Sequence, residues 1–249
     1  MIFEKYIPGE PKTEVYKALF DMMNDFDKGK TYADMMRYRI SGTVSNECND
    51  IYYVAHENGK ALCRHWMGWG KHTDAIGNWG NFYTDPQFRG KGIGGKLLSF
   101  WYQDFQTITK PPLCFMCSAG TKELTELYGR FGFKPAIEGT EFGFLYMPIG
   151  DSPDSFREFR QTYYKSSDTL YHRKASVNYR HEIDCLLKFT YKDMGLEFGN
   201  GVEGALLYAP ERCGMLFSED GHCVGYSYDG IIQTHPLYSD SIIIDEFTY

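Results

Sequence analysis

The chain has 249 residues, room for one large domain or two small ones, and its 43% apolar and 24% charged side chains, with no apolar run long enough to span a bilayer, exclude an unfolded chain and a membrane-spanning one. The formal charge of −7 is unevenly placed: residues 1–150 hold 17 basic and 17 acidic side chains, residues 151–249 hold 9 and 16. No basic stripe offers itself to a phosphate backbone, so nucleic acid is not an expected partner; the acidic second part reads either as a solvated face or as a wall that attracts a cationic substrate.

The opening MIFEKYIPGE carries Glu4, Lys5 and Pro8 where a signal peptide needs an apolar run, which predicts a cytoplasmic address. Val15, Leu19, Met22, Met23 and Phe26 fall near helical spacing behind Thr13, a suitable N-cap, so a first helix is expected over 13–26 and a shorter one over 32–39. Two strand-like runs, 51–56 and 61–69, meet around Asn58-Gly59, a dipeptide suited to the positive φ angles of a tight hairpin. Another strand, WGNFYTDP, ends at Pro86. A glycine-rich turn then leads into a helix bearing Leu97, Leu98, Trp101, Tyr102 and Phe105. PPLCFMCS reads as a strand, TKELTELYGRFG as a helix and FGFLYMP as a strand, after which the chain changes character near Gly150. This order predicts an α/β domain over residues 1–150.

Residues 151–249 form a smaller α+β region, with helices expected at SFREFRQTYY and YRHEIDCLLKFTYKDMG and strands at GALLYAP, GMLFSEDGHCVGYSYDG and SIIIDEF. His181 and Asp184 share a helical face beside Glu182 but lack a third ligand, so no metal is expected. Seven cysteines, an odd number in a chain too large to need staples, read as reduced thiols. Cys114 and Cys117 have CxxC spacing within a strand, which sends them to opposite sides of a sheet.

In Arg89-Gly90-Lys91-Gly92-Ile93-Gly94-Gly95 four of seven residues lack a Cβ, so successive N–H groups can turn inward and a ligand can approach the main chain. The helix beginning there adds unpaired donors and a partial positive charge, which suits an anion such as a pyrophosphate. Neither GxxxxGK[ST] nor a Rossmann GxGxxG in its βαβ setting fits the segment.

FYTDPQFRGKGIGGKLL resembles the acetyl-CoA-binding motif of the GNAT family of N-acetyltransferases, whose [Q/R]xxGx[G/A] signature is met by Arg89, Gly92 and Gly94. LYGRFGF, Leu127 to Phe133, resembles that family's second motif, in which a tyrosine closes a helix shortly before Gly-Phe. The resemblance covers residues 1–150 and implies a mixed central sheet flanked by helices. It implies that the backbone of Phe82, Tyr83 and Thr84 pairs with the pantetheine arm, and that N–H groups of Gly90, Lys91, Gly92, Ile93, Gly94 and Gly95 hold the pyrophosphate, with Arg89 and Lys91 at its rim. Tyr128 would protonate the departing thiolate, a role its ordinary pKa of ~10 suits. Its alternative is packing against Phe131. Thr121 stands where the family often has an asparagine for pantetheine, and either contacts that arm or only caps its helix.

The family often carries a basic glutamate in its fourth strand, and AIGNWGNFYT has no carboxylate there. His72 with Asp74, or a water chain held by Asn78, are the alternatives. The expected activity is acetyl transfer from acetyl-CoA to a small-molecule or peptide amine, cationic if the acidic region lines its pocket, by direct attack and without a metal. A coenzyme-A-binding sensor without turnover, or transfer of a larger acyl group, are the other readings. Asp220-Gly221 and Asn58-Gly59 each lie 20 residues before a strand-like position, Ser241 and Trp79, so residues 151–249 are expected to be a truncated GNAT-like repeat or a chance likeness, without a second coenzyme. A dimer contact is the region's other expected use, giving a homodimer.

Overall fold

A computed structural model describes all residues except 24–29, 74–75, 187–204, 207–208 and 247–249. The chain begins with β1 (Ile2–Tyr6), α1 (Glu14–Met22) and α2 (Lys30–Ile40), followed by β2 (Cys48–Glu57), β3 (Lys60–Gly70) and β4 (Ile76–Thr84). Then come α3 (Ile93–Phe105), β5 (Cys114–Ala119), α4 (Lys122–Gly129), β6 (Lys134–Pro135) and β7 (Gly143–Pro148). These strands make one sheet in the order β1-β2-β3-β4-β5-β7-β6. Only β4 and β5 run parallel, because α3 carries the chain back between them.

A second sheet follows from α5 (Phe156–Tyr163), β8 (Thr169–Lys174), α6 (Arg180–Cys185), β9 (Cys213–Phe217), β10 (Cys223–Tyr228), β11 (Ile231–Thr234) and β12 (Ile242–Asp245). Its order is β11-β10-β9-β8-β12, antiparallel except for β12, which runs parallel to β8. The fold is thus α/β, a large mixed sheet flanked by helices, with a second sheet region after it. No helix among the described residues is long and apolar enough to cross a membrane.

Local chemistry explains most boundaries. Asn58 (φ 50) and Gly59 (φ 75) both take left-handed angles, the requirement of a tight two-residue hairpin between right-twisted strands. The Ser155 side chain accepts from Glu158 N and starts α5. Thr13 precedes α1 but makes no side-chain cap bond.

Several sequence expectations need correction. The opening residues form β1, an edge strand paired with β2, where charges at Glu4 and Lys5 hide the pattern. Ala205 and Leu206 of GALLYAP are helical, with Ala209 N donating to Ala205 O, so that segment is not a strand where it is described. Asp229 (φ 49) and Gly230 (φ 80) make a second tight hairpin, into β11, inside a run whose apolar residues look continuous. The strand after Ser241 pairs with β8, so its 20-residue spacing does not mark the equivalent of β4. The end of the expected first helix and most of the one from Tyr179 lie outside the described residues.

The two faces of the first sheet are buried differently. On one face Trp79 and Phe115 share a core with Leu97, Leu98 and Trp101 of α3 and Tyr128 of α4. On the other, α1 and α2 cover β1 to β3 through Leu19, Met36, Tyr52 and Trp66. Beyond them the second sheet takes over: Ile76, Cys114, Met116 and Tyr146 share one core with Phe156, Leu170, Leu216 and Val224. Cys114 and Cys117 therefore point into different cores, and no disulfide joins any of the seven buried cysteines.

Beside that shared core lies a buried ion pair. Arg180 Nη2 on α6 donates to Asp50 Oδ1 on β2 at 2.8 Å, and Trp66 Nε1 donates to the same oxygen at 2.8 Å. Both charged side chains are almost wholly buried. Removing one partner strands the other charge away from water, so Asp50→Ala is expected to cost about 3–5 kcal/mol in urea unfolding. Asp50→Asn, which still accepts from Trp66, should lose less; an Asp50→Ala chain as stable as the parent would contradict this account.

Candidate active site

The site is built where β4 and β5 part. Three rungs join them, Ile76↔Cys114, Gly77↔Phe115 and Asn78↔Met116, and there the pairing stops although both strands continue. The β5-facing edge of β4 from Trp79 to Thr84 is left open among the described residues. A bulge bends β4 away: Asn81 and Phe82 lie opposite the single residue His65, and Asn81 adopts φ 54. Arg64 Nε and Nη2 hold the Asn81 side-chain oxygen at 3.1 and 3.0 Å. His65 is fully buried; burial lowers its pKa to about 3, so the ring is neutral, and its Nδ1–H donates to Gly80 O at 3.1 Å.

β4 ends in a one-turn 3₁₀ segment, Pro86–Phe88, capped by the Asp85 side chain, and then enters the glycine turn. Gly90 (φ 74) and Gly92 (φ 73) take left-handed angles, and a Cβ on either would meet nothing, so their freedom serves the backbone path. Gly92 caps α3, and the first intrahelical bond runs from Lys96 N to Gly92 O at 3.2 Å. The N–H groups of Ile93, Gly94 and Gly95 precede it and have no intrahelical carbonyl to meet. Gly94 differs from its neighbours: a Cβ there would sit 2.7 Å from Phe82 Cζ, so this glycine lets α3 start tight against β4. Arg89 Nε donates to Thr84 O at 3.0 Å and its guanidinium lies over Tyr83, while Lys91 lies over Phe88.

An open groove of about 670 Å³ continues from this turn between α3 and α4, lined by Gly92, Gly95, Lys96, Ser99, Arg130 and Phe131 among others. The cationic Lys96 and Arg130 face it, as a chain of phosphates requires. Sequence reading gave neither of them a role, although Lys96 lies within FYTDPQFRGKGIGGKLL and Arg130 within LYGRFGF. Tyr128 is at the C-terminal end of α4 and packs on the parted segment of β4, 4.6 Å from the Trp79 ring and 6.0 Å from Phe82. Burial raises its pKa, so its phenol stays protonated.

The structure thus gathers Phe82, Tyr83, Thr84, Arg89, the turn Gly90–Gly95 and Tyr128 about one opening. Thr121 caps α4, its Oγ1 accepting from Leu124 N at 3.3 Å. His72 is exposed in the β3–β4 loop, at the end of β4 remote from the turn, with its backbone N–H donating to Asn178 Oδ1 at 2.9 Å. Asp74 lies outside the described residues. Asn78 is half-buried on the last paired rung, beside the opening.

A parted parallel pair beside a glycine turn and helix N-terminus places an open strand edge next to unpaired N–H donors, chemistry that suits an extended anionic ligand. Residues 48–135 match the family model described as an acetyltransferase (GNAT) domain. Solved structures similar to this chain include an acyl-CoA N-acyltransferase from Pseudomonas aeruginosa, 15% identical, covering 59% of this chain and 98% of that one with a TM-score of 0.43. Another is a GNAT family N-acetyltransferase from Escherichia coli in complex with CoA, 14% identical over 60% and 82% of the two chains, TM-score 0.41. A third is a GNAT family acetyltransferase from Elizabethkingia anophelis with acetyl-CoA bound, 15% identical over 59% and 97%, TM-score 0.38. No curated protein matches the sequence.

The glycines give separable expectations. Gly92→Val forces a branched residue into a left-handed angle, costing about 1–2 kcal/mol, and should weaken coenzyme A binding in calorimetry more than Arg89→Ala does. Gly94→Val should act through stability instead, losing about 1–3 kcal/mol by overpacking Phe82. A Gly92→Val chain with parental affinity would remove the turn from the binding site.

Proposed function

We propose that the chain is an acyl-CoA-dependent N-acyltransferase that moves an acetyl group directly to an amine held with the coenzyme in a ternary complex. The observation that carries this reading is the coincidence, within the GNAT segment, of the parted β4–β5 pair, the glycine turn opening α3 and Tyr128 against the parted strand. The open edge at Phe82, Tyr83 and Thr84 would hold the pantetheine arm as an added strand. The N–H groups of the turn and of Ile93, Gly94 and Gly95 would hold the pyrophosphate, with Lys96 and Arg130 supplying charge along the groove. Tyr128, kept protonated by burial, would give its proton to the departing thiolate. The undisulfided cysteines suit a reducing, cytoplasmic setting.

Residues 151–249 belong to this reading as a degenerate copy of the first half. Strands β8 to β11 run as an antiparallel meander with helix between the first two, as β1 to β4 do. Each meander ends in Thr-X-Pro, at Thr84-Asp85-Pro86 and Thr234-His235-Pro236, with the X side chain accepting from the N–H two residues on. The glycine turn has no counterpart in the sequence of the second copy. If its acidic surface borders the acceptor, cationic amines should be preferred and kcat/KM should fall with added salt, as exposed charges are screened beyond ~8 Å at physiological ionic strength.

Asn78, in a strand with no carboxylate, favours a second reading, a coenzyme-A sensor without turnover. Thiol release from acetyl-CoA in the presence of amines separates the two, since a sensor binds without releasing thiol. With turnover established, Tyr128→Phe should lower kcat by ~10²-fold and leave coenzyme affinity nearly intact. An unchanged kcat would return Tyr128 to a packing role against Trp79.

A further inference from the structure

The fourth strand lacks a carboxylate of its own, yet one is delivered to it from beyond residue 150. Glu182 on α6 is 1% exposed and sits against the start of β4. Thr73 Oγ1, in the β3–β4 loop, donates to its Oε1 at 2.5 Å, and the backbone N–H of Ile76 also faces the carboxylate. Its Oε2 has no hydrogen-bond partner among the described residues. A buried oxygen left in this state is costly to a structure and useful to a proton acceptor.

Its position fits that use. Ile76 forms the first of the three parallel rungs and Asn78 the last, so Glu182 lies about 7 Å of strand below the point where β4 and β5 part. Ile76 and Asn78 are two apart and share a face of the sheet, the face covered by the second sheet region. Trp79 and Tyr128 occupy the other face. The two proton-handling groups therefore flank the opening from opposite sides.

We propose that Glu182 is the proton acceptor for the incoming amine, reaching it through water held along Asn78, so that the second sheet region completes the catalytic site. This rests on the acyltransfer reading above. An alkylammonium gives one proton to the Glu182 carboxylate, and the freed nitrogen lone pair forms the N–C bond. The C–S bond then breaks with its electron pair on sulfur. The thiolate takes the Tyr128 proton, and the second nitrogen proton restores the phenol.

The electrostatics agree. Burial pushes the Glu182 carboxyl up to about 7, against the pull of the Thr73 hydrogen bond and of the nearby backbone N–H groups of Glu182 and Ile76. Among the described residues, the groups that feel its charge are Cys114 on β5, Tyr163 on α5, Tyr179 before α6 and Cys223 on β10, and burial raises the pKa of all four. None of them is a cation. Arg180, two residues earlier, is committed to Asp50. A base of this strength can deprotonate an amine near neutral pH, and a phenol kept protonated can serve the leaving group.

The test uses Glu182→Gln, which keeps shape and the Thr73 bond, and Glu182→Asp, which keeps the carboxylate. Spermidine, tyramine and trialanine serve as probe amines with acetyl-CoA, and thiol release is followed across about pH 5 to 9. The parent kcat/KM should rise with pH through an apparent pKa near 7. Glu182→Gln should lose that limb and ~10²-fold or more in kcat/KM while coenzyme affinity by calorimetry is unchanged; Glu182→Asp should retain the limb. Infrared difference spectra of the coenzyme-free parent against Glu182→Gln should show a carboxyl titrating in the same range. A parent profile flat between about pH 6 and 8 overturns the inference even if the Gln variant does not fold. So does a Gln variant that keeps both rate and limb while the parent turns over. A parent that binds coenzyme A but releases no thiol with any amine overturns the acyltransfer reading, and this inference with it.

Discussion

The parting of β4 from β5 is the constraint around which the molecule is arranged. A strand that leaves its neighbour after three rungs exposes a row of backbone donors and acceptors, and such groups must find another partner. The Asn81–Phe82 bulge makes the departure permanent by turning the strand, and the Arg64 fork on Asn81 and the His65 bond to Gly80 fix the turn from the β3 side. The open edge is therefore held open by part-buried hydrogen bonds, and a ligand pairing there as proposed would not have to pry the strands apart. That preorganisation would spare part of the cost of ordering a site on binding.

The second sheet seals what the parting leaves exposed on the opposite face. Ile76 and Cys114 on the first rung of the parallel pair, and Met116 on the last, are apolar and need a cover. α1 and α2 stop over β1 to β3, and residues after 150 supply the rest through Phe156, Leu170 and Leu216. Charge accompanies the grease. Arg180, Asp50 and Glu182 are all buried near that join, and side chains this costly to desolvate bring specific geometry more readily than net stability. A purely apolar cover would bury as much area and offer no group able to exchange a proton.

The sequence made the turn chemistry and the long periodic elements readable because each rests on local rules. Asn58-Gly59 specifies its hairpin, and Leu97, Leu98, Trp101 and Phe105 specify the buried stripe of α3 wherever the rest of the chain lies. β1 escaped because an edge strand needs few apolar residues, and β8 and β11 because four- to six-residue strands carry too short a pattern. Helix at Ala205 and Leu206 overrode a strand-like run, which is tertiary context prevailing over a short apolar signal. The residues proposed to meet the coenzyme, Phe82 to Gly95 and Tyr128, were legible as a motif. Glu182 was not, because 98 residues separate it from Thr84 in the chain and only the docking of α6 on β4 brings it to the strand.

Within the motif itself, composition conceals a division of labour. Four glycines look interchangeable in Arg89-Gly90-Lys91-Gly92-Ile93-Gly94-Gly95, yet each answers a different demand. Gly90 and Gly92 are needed for angles that a side chain would strain, with open space around them. Gly94 has ordinary angles and is needed because Phe82 occupies the place of its Cβ. Gly95 has neither constraint and borders the groove, so only a ligand approaching the main chain would feel a side chain there. The contact between Gly94 and Phe82 also joins the turn to the parted strand. The N-terminus of α3 is set at the open edge of β4 by the same aromatic ring that packs on Tyr128, so the proposed anion cradle, pantetheine edge and acid share one rigid reference. A glycine motif without that ring would leave its donors unaimed, which is why Phe82 belongs to the proposed site as much as the glycines do.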